Sequence, residues 1–239
     1  MVKVLTISPF YLNAGKIYTI YNMVKDKFDF RDWAPDYDSQ VVTASPTDNW
    51  MFGGYDRILN TVVKYCKLAE NSYFTVLDIG IGTGNLAARF LSNDMQVIGI
   101  DPSSEMLKIC GNKFPSINML LKGDFLHYPE NLEKVDVIVS TYAFHHVKPK
   151  DKIKAIQMMK DQLKPSGRIV IADFMYKNAD AIESTNKLIK EKYKANMAKT
   201  FEGEYPALYY ELAAEFSKAG FKVTGEQLSV SVWLICAAL

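Results

Sequence analysis

The stretch Val76-Leu-Asp-Ile-Gly-Ile-Gly-Thr-Gly-Asn-Leu-Ala87 decides the reading of this chain. A buried strand runs into a glycine-rich turn and then into the start of a helix. Gly80, Gly82 and Gly84 permit a sharp backbone turn and let a ligand approach with no side chain in the way. A strand that ends in such a loop is where an open α/β sheet binds a nucleotide-like cofactor. Downstream, Gln96-Val-Ile-Gly-Ile-Asp101 is a second apolar strand ending in an acid. A carboxylate at that position accepts hydrogen bonds from both hydroxyls of a ribose.

Outward from this motif, strands alternate with helices. Strands are expected at 75–79, 96–101, 117–121, 135–140 and 168–174, and helices at 85–92, 103–113 and 150–163. The strands are near-continuous apolar runs, as in a parallel sheet covered by helices on both faces. Lys164-Pro-Ser-Gly167 reads as a helix stop and turn before the fifth strand. A charged amphipathic helix is expected over 178–199 and another over 206–218, stopped by Ala219-Gly220. Phe221–Glu226 and Leu228–Ala237 then read as two strands joined by about one residue around Gln227. Strands so close in sequence pair antiparallel, because a parallel crossover needs a dozen residues or more.

Upstream, residues 26–70 are aromatic-rich and read as helical. They include Phe28, Phe30, Trp33 and Tyr37, then the stretch from Trp50 to Leu68. There Tyr55, Ile58, Leu59, Val62 and Val63 recur at helical spacing. Residues 1–22 match no pattern. They are either an arm or the product of an upstream start, with Met23 as the natural beginning.

The 239 residues fit one large domain or a domain with an appendage. Hydrophobic residues make up 49% and charged residues 23%, an ordinary globular balance. A net charge of +1 with no basic stripe points away from nucleic acid and from anionic membranes. The longest apolar run, Val232–Leu239, is far short of the roughly 20 residues of a membrane helix, and the N-terminus lacks the long apolar core of a signal peptide. Cys66, Cys110 and Cys236 have no metal-type spacing and are odd in number, which fits free thiols in a reducing cytoplasm. No Cys/His/Asp cluster marks a metal site.

Together these motifs resemble the class I S-adenosylmethionine (SAM) dependent methyltransferases, over about residues 30–239. Asp78-Ile-Gly-Ile-Gly-Thr-Gly84 is similar to their first motif, Asp101 to their ribose-binding acid, and Gly123-Asp124-Phe125 to their adenine-binding loop. Val135–Ser140 resembles the fourth strand and Leu163–Arg168 the turn before the fifth. The resemblance is closer still to the bacterial YrrT-type methyltransferases. It is carried by Trp33-Ala-Pro-Asp-Tyr37-Asp, Gly54-Tyr-Asp-Arg-Ile-Leu-Asn60, Ser140-Thr-Tyr-Ala-Phe-His-His146 and Val232-Trp233. It implies an α/β, Rossmann-like, seven-stranded and mostly parallel sheet with a C-terminal antiparallel hairpin strand and helices on both faces. Residues 1–70 would be an N-terminal arm and helical cap, and residues 71–239 the SAM-binding domain.

The resemblance gives each residue a role, and each also has a structural alternative. The loop of Gly80, Gly82 and Gly84 lies against the methionine part of SAM, or is simply a tight turn. The helix beginning near Asn85 aims its amides at the methionine carboxylate. Asp78 meets the cofactor's amino group, or orders the loop by accepting backbone amides. Asp101 binds the ribose, or caps the next helix, a duty for which Ser103 or Ser104 is better placed. Met106 packs on the adenine or in the core. Asp124 accepts the adenine amine while Phe125 gives an amide and an apolar wall, or Asp124 is a turn acid.

Ser140 to His146 follow the fourth strand, whose carboxyl end faces the cofactor. Tyr142, His145 and His146 are thereby placed to meet the methyl acceptor, with a histidine as proton acceptor. Neighbouring residues do not share a face, so one histidine is expected inward and the other structural or exposed. His127 is expected at the surface. Tyr37, Trp33 and Tyr55 form a lid over the cofactor or a satellite core. Tyr176, Tyr193, Tyr205, Tyr209 and Tyr210 supply the other pocket wall, and Glu202, Glu204 and Glu211 bind an amine or are solvated.

The expected activity is methyl transfer from SAM, leaving S-adenosylhomocysteine, to a small-molecule acceptor in the cytoplasm, with no nucleic-acid or membrane partner. Two other readings share these motifs: a SAM-binding module without catalysis, and an NAD-dependent oxidoreductase. Counted from Gly82 and Gly84, the third position of the NAD fingerprint is Ala87, which its looser form allows. The C-terminal hairpin is what argues against NAD.

Overall fold

A computed structural model of the chain describes residues 17–18, 34–43, 49–67, 74–92, 95–129 and 131–239. Met23, Phe28, Phe30, Trp33 and Leu68 lie outside the described residues, as does the N-terminal arm apart from 17–18. In chain order the elements begin with β1 (Ile17–Tyr18), α1 (Ala34–Thr43), α2 (Tyr55–Cys66) and β2 (Thr75–Ile79). The central part holds α3 (Ala87–Leu91), β3 (Gln96–Asp101), α4 (Ser104–Lys113), β4 (Met119–Lys122) and β5 (Val135–Thr141). After α5 (Pro149–Gln162) come β6 (Leu163–Tyr176), α6 (Ala181–Tyr193), α7 (Met197–Thr200), β7 (Ala207–Leu208), α8 (Tyr209–Lys218), β8 (Lys222–Gln227) and β9 (Val232–Ala238).

The strands form one 9-stranded sheet in the order β1-β4-β3-β2-β5-β6-β9-β8, with β7 pairing β6 off this path. Among the described strands only β9 runs against its neighbours: it is antiparallel to both β6 and β8, while every other pairing is parallel. The seven long strands are those expected from the sequence, and β1 and β7 add two residues each.

Side-chain alternation explains why the strands read as unbroken apolar runs. Val76, Val97, Val170 and Leu234 face one buried cluster, and Leu77, Ile98, Ile171 and Ile235 face the other. Both faces are covered, so neither register needs polar residues. The first cluster is closed by Ile58, Leu59 and Val62 of α2, all fully buried. Burying each of these side chains stabilises the fold by about 1.5–3 kcal/mol. The same helix is tied to the β8–β9 loop by the Arg57 guanidinium, which donates to the Leu228 carbonyl at 2.5 Å. Just ahead of α2, the Trp50 carbonyl accepts the Ser231 hydroxyl at 2.7 Å. The second cluster is closed by α5 and α8, through Ile156, Met159, Leu212 and Phe216.

Several local expectations are corrected. The stretch Lys164–Gly167 is not a free turn: Leu163 already pairs with Val135, and a register shift between Val135 and Val137 absorbs the extra residues within β6. The helix expected over 178–199 breaks at Lys194, in the left-handed region at φ 55. Beyond it the Asn196 side chain accepts the Lys199 amide and starts α7. The helix expected from 206 begins at Tyr209, because Ala207–Leu208 pair with Met175–Tyr176. The helix expected from 85 begins at Ala87. The turn between β8 and β9 is Leu228–Ser231 rather than one residue, with the Leu228 amide donating to the Val232 carbonyl at 2.8 Å. Among the described residues no helix is long and apolar enough to cross a membrane.

Candidate functional site

The glycine loop lies between the carboxyl ends of β2 and β3. Amides of Gly80 and Ile81 donate to the Ile100 carbonyl at 2.7 and 3.0 Å, and the Gly82 amide donates to Asp101 Oδ2 at 2.9 Å. Gly80, Gly82 and Gly84 all have left-handed φ, at 80°, 54° and 87°. They are not equivalent. A Cβ on Gly80 would sit 2.4 Å from that of Ala143, and one on Gly84 would sit 2.8 Å from Cys110 Sγ. A Cβ on Gly82 meets nothing within 4 Å. Gly80 and Gly84 are required by packing, whereas Gly82 borders open space.

Two acids stand beneath this loop. Asp78 is 1% exposed, and neither carboxylate oxygen has a hydrogen-bond partner among the described residues. Burial, with the nearby Asp101 charge adding to it, raises Asp78 to about 8. Asp101 is also buried; its Oδ1 accepts the Ser103 amide at 2.8 Å while Oδ2 holds Gly82. Burial outweighs those two amides and raises Asp101 to about 6. The Ser103 hydroxyl caps α4 by accepting the Met106 amide, so Asp101 is not the helix cap. Met106 itself is buried.

At the end of β4, Asp124 accepts the Leu126 amide at 2.8 Å and pairs with His127 Nδ1 at 2.9 and 3.1 Å. The His127 ring is exposed and serves as the partner of Asp124. Phe125 is buried against Phe144, edge to face at 5.0 Å. The Ser140 hydroxyl donates to the Ile79 carbonyl at 2.7 Å, which joins the ends of β5 and β2.

From the N-terminal side, α1 reaches over the loop. Asp38 Oδ1 accepts the Thr83 hydroxyl at 2.6 Å and the Asn85 amide at 3.0 Å, and Oδ2 accepts Lys113 Nζ. Burial opposes ionisation of Asp38, but these donors win and lower its pKa. Next to it the Tyr37 and Tyr55 hydroxyls meet at 3.5 Å. Tyr55 stacks on Tyr142 with ring centroids 5.5 Å apart, and Phe52 and Phe174 stand against the same ring at 5.5 and 5.2 Å. Tyr142 is a non-glycine residue at φ 54. Its hydroxyl is buried with no hydrogen-bond partner among the described residues, and burial raises its pKa well above the ordinary range.

Beyond Tyr142, a short 3₁₀ turn carries Phe144–His146. His145 Nδ1 bonds Asp173 Oδ1 at 2.7 Å, and the His145 amide donates to Asp173 Oδ2 at 2.7 Å. Its Nε2 lies 3.3 Å from Glu204 Oε2, and His146 Nδ1 lies 3.6 Å from Glu204 Oε1. The rings are 4.1 Å apart. His145 is the inward ring and His146 the more exposed one, yet the two rings stay together because Glu204 meets both. Burial works against charge on His145, but the Asp173 and Glu204 carboxylates outweigh it and raise the ring to about 9. Burial, then the neighbouring His145 charge, lower His146 to about 4. Lys152, missed by the sequence reading, donates to the Phe144 carbonyl at 2.9 Å, and burial lowers it to about 8. Asp173 and Lys152 carried no motif, and Asp38 closed the Trp33–Asp38 motif without a role of its own. The one available signal was Asp173 itself, an acid inside the apolar run Ile169–Phe174.

The strand order, the single reversed strand and the glycine loop over two buried acids define a Rossmann-like cofactor-binding protein. A family described as a methyltransferase domain matches residues 76–167. An uncharacterized methyltransferase of Oceanobacillus iheyensis is 37% identical over 208 residues, spanning 87% of this chain and 94% of that protein. The uncharacterized methyltransferase YrrT of Halobacillus halophilus is 35% identical over 208 residues, again 87% of this chain and 94% of its own. Among solved structures, Haemonchus contortus phosphoethanolamine N-methyltransferase 2, in complex with S-adenosylhomocysteine, superposes with a TM-score of 0.64 at 17% identity, over 92% of this chain and 61% of that one. The cyclopropane synthase MmaA2 of Mycobacterium tuberculosis shares the fold with a TM-score of 0.61 at 18% identity, over 84% of this chain and 78% of its own. The chain belongs to the class I SAM-dependent methyltransferases of the YrrT type.

Proposed function

We propose that this methyltransferase transfers the methyl group of SAM to a small-molecule acceptor bound beside Tyr142. S-adenosylmethionine is the cofactor. The observation that carries the reading is Asp78: a buried carboxylate with neither oxygen partnered among the described residues is costly, and a cation entering over Gly82 offsets that cost. The ammonium of SAM fills this role. The backbone of Gly80, Gly82 and Gly84 runs along its methionine part, Asp101 accepts the ribose hydroxyls, and Met106, Asp124 and Phe125 flank the adenine. Ser140 holds the floor beneath the sulfur. Tyr37, Tyr55, Phe52 and Tyr142 surround the sulfonium with aromatic faces, which favour a cation and exclude water. Of the region 1–70 expected as arm and cap, α1 and the turn leading into α2 act as the cap over residues 71–239.

In the reaction the acceptor's lone pair forms a bond to the methyl carbon while the carbon–sulfur bond breaks. Its electrons pass to sulfur and S-adenosylhomocysteine leaves neutral. The protein's main task is alignment, which supplies ~7–11 kcal/mol in favourable cases. Asp173 fixes the His145 ring through Nδ1, and the two histidines stand on the acceptor side of Tyr142. The buried thiols Cys66, Cys110 and Cys236 fit a cytoplasmic setting.

Thermal melting with SAM, S-adenosylhomocysteine and NAD tests the cofactor, since a ligand of the native state raises stability. Stabilisation by the first two is expected, and stabilisation by NAD alone would defeat the reading. A screen of small amines, thiols and hydroxy compounds for SAM consumption tests the acceptor. Methyl transfer only to protein or nucleic acid would overturn the small-molecule assignment.

A further inference from the structure

Three donor atoms converge beside the aromatic wall. His145 Nε2 and His146 Nδ1 stand 3.3 and 3.6 Å from the two oxygens of Glu204, and one donor atom from each residue lies within 4.8 Å of the others. Charge-assisted hydrogen bonds close to about 2.7–2.9 Å. The same imidazole makes such a bond on its other side, to Asp173 at 2.7 Å, so the longer separations to Glu204 are of a different kind. Two donors bound tetrahedrally to one cation at about 2.1 Å stand about 3.4 Å apart. The two separations, each to a different oxygen of the one carboxylate, lie near that value.

The surroundings fit the same reading. A metal-bound histidine characteristically donates its second ring N–H to a carboxylate, which fixes its orientation. Asp173 does this for His145, and it is itself fixed by the amides of His145 and Phe174, each at 2.7 Å. Phe174 and Phe201 flank the His145 ring at 5.2 and 5.4 Å, an apolar shell that excludes water. His146 and Glu204 are only partly buried, at 21% and 30% side-chain exposure, which leaves an approach from solvent.

We infer that His145, His146 and Glu204 bind a divalent transition-metal ion of the zinc type, with Asp173 as the outer carboxylate and a fourth coordination position open. Two imidazoles and one carboxylate suit zinc better than calcium or magnesium, which take oxygen ligands. The open position accepts water or a heteroatom of a bound small molecule. The site uses none of the residues of the glycine loop, and it stands whether or not the crevice above that loop takes SAM.

The experiment is zinc titration of the chelator-treated full chain, by calorimetry and by counting zinc after dialysis. One zinc per chain is expected. Glu204→Ala and His146→Ala, both partly exposed and tolerant of truncation, should each weaken zinc binding at least tenfold. Asp173→Asn should weaken it by roughly 10–100-fold. Cobalt(II) bound to the unaltered protein reads the site without any substitution, and should give the intense visible bands of a four-coordinate complex. The proposal is overturned if the wild-type chain retains no zinc, if both truncations bind zinc as the wild type does, or if cobalt shows only the weak spectrum of its hexa-aqua ion.

Discussion

The Thr83 hydroxyl, in the middle of the glycine loop, donates to Asp38 of α1 at 2.6 Å. This bond joins a helix that precedes the sheet to the loop that faces the cofactor. Hydrogen bonds to a charged group contribute about 1.5–3 kcal/mol when buried and less at a partly exposed carboxylate such as this one. Asp38→Ala should therefore weaken SAM binding by roughly 3–10-fold and speed hydrogen exchange of the α1 amides, with little change in global melting. Unchanged exchange in α1 would show that Asp38 does not hold the helix in place.

Asp78 predicts a pH dependence. In the cofactor-free protein its pKa is raised to about 8, so the carboxyl is protonated at neutral pH. An acid raised in the folded state contributes most stability below its unfolded value, and that contribution is lost as pH climbs toward 8. Binding a cation there requires the ionised form. SAM binding should release a proton, and affinity should improve by up to roughly tenfold per unit as pH rises toward 8. Asp101, raised to about 6, adds the same sign at lower pH. Calorimetry in buffers of different ionisation enthalpy measures the proton. Comparison with Asp78→Asn cancels the ligand's own titration, and equal proton release in both would remove Asp78 from the ammonium site.

The glycines separate packing from binding. Gly80→Ala drives a methyl group to 2.4 Å from Ala143 Cβ and should lower stability by several kcal/mol, on the order of other overpacked core sites. Gly82→Ala places its methyl in open space and carries only left-handed strain of about 1–2 kcal/mol. It should fold and yet bind SAM at least tenfold more weakly. Wild-type affinity in folded Gly82→Ala would show that nothing lies over this glycine.

Tyr142→Phe removes a buried hydroxyl that has no hydrogen-bond partner among the described residues. Since such a group costs about 1–3 kcal/mol, the melting temperature should hold or rise. If the hydroxyl meets the acceptor, turnover should fall at least tenfold with SAM affinity unchanged. Full turnover would reduce Tyr142 to a wall of the cavity.

Asp101→Ala should cost ~1.5–3 kcal/mol of SAM binding. It also releases the Gly82 and Ser103 amides, so Asp101→Asn is the better-matched control: it retains one acceptor and should lose less. Equal affinity of all three proteins would end the ribose assignment.

The sheet was legible because its signals are local. Apolar runs such as Val97–Ile100 and the glycines at 80, 82 and 84 dictate their own geometry, and the closeness of β8 and β9 forces antiparallel pairing. What escaped depends on distant partners. Asp38 is one acid on a helix until α1 docks against Thr83 and Lys113. Glu204 looks like a solvated residue of a charged loop until that loop folds back onto His145. The two histidines were expected to diverge because adjacent side chains point apart, yet a carboxylate entering between them meets both. The grouping of His145, His146 and Glu204 was hidden for the same reason: these side chains come from two separated segments, and no spacing rule joins them. Lys194 shows the converse, a break in a long amphipathic pattern set by the side-chain cap of Asn196 rather than by the loss of helical periodicity.

The position of β9 has a kinetic consequence. It is hydrogen-bonded on both flanks, to β6 and β8, so among the described strands β8 joins the sheet through β9 alone. A lone two-stranded hairpin is only marginally stable in water, and the pairing of β9 with β6 joins strands distant in sequence and is slow to form. Refolding should therefore leave β8 amides unprotected until β9 has docked on β6, so that the two strands acquire protection together in one late phase.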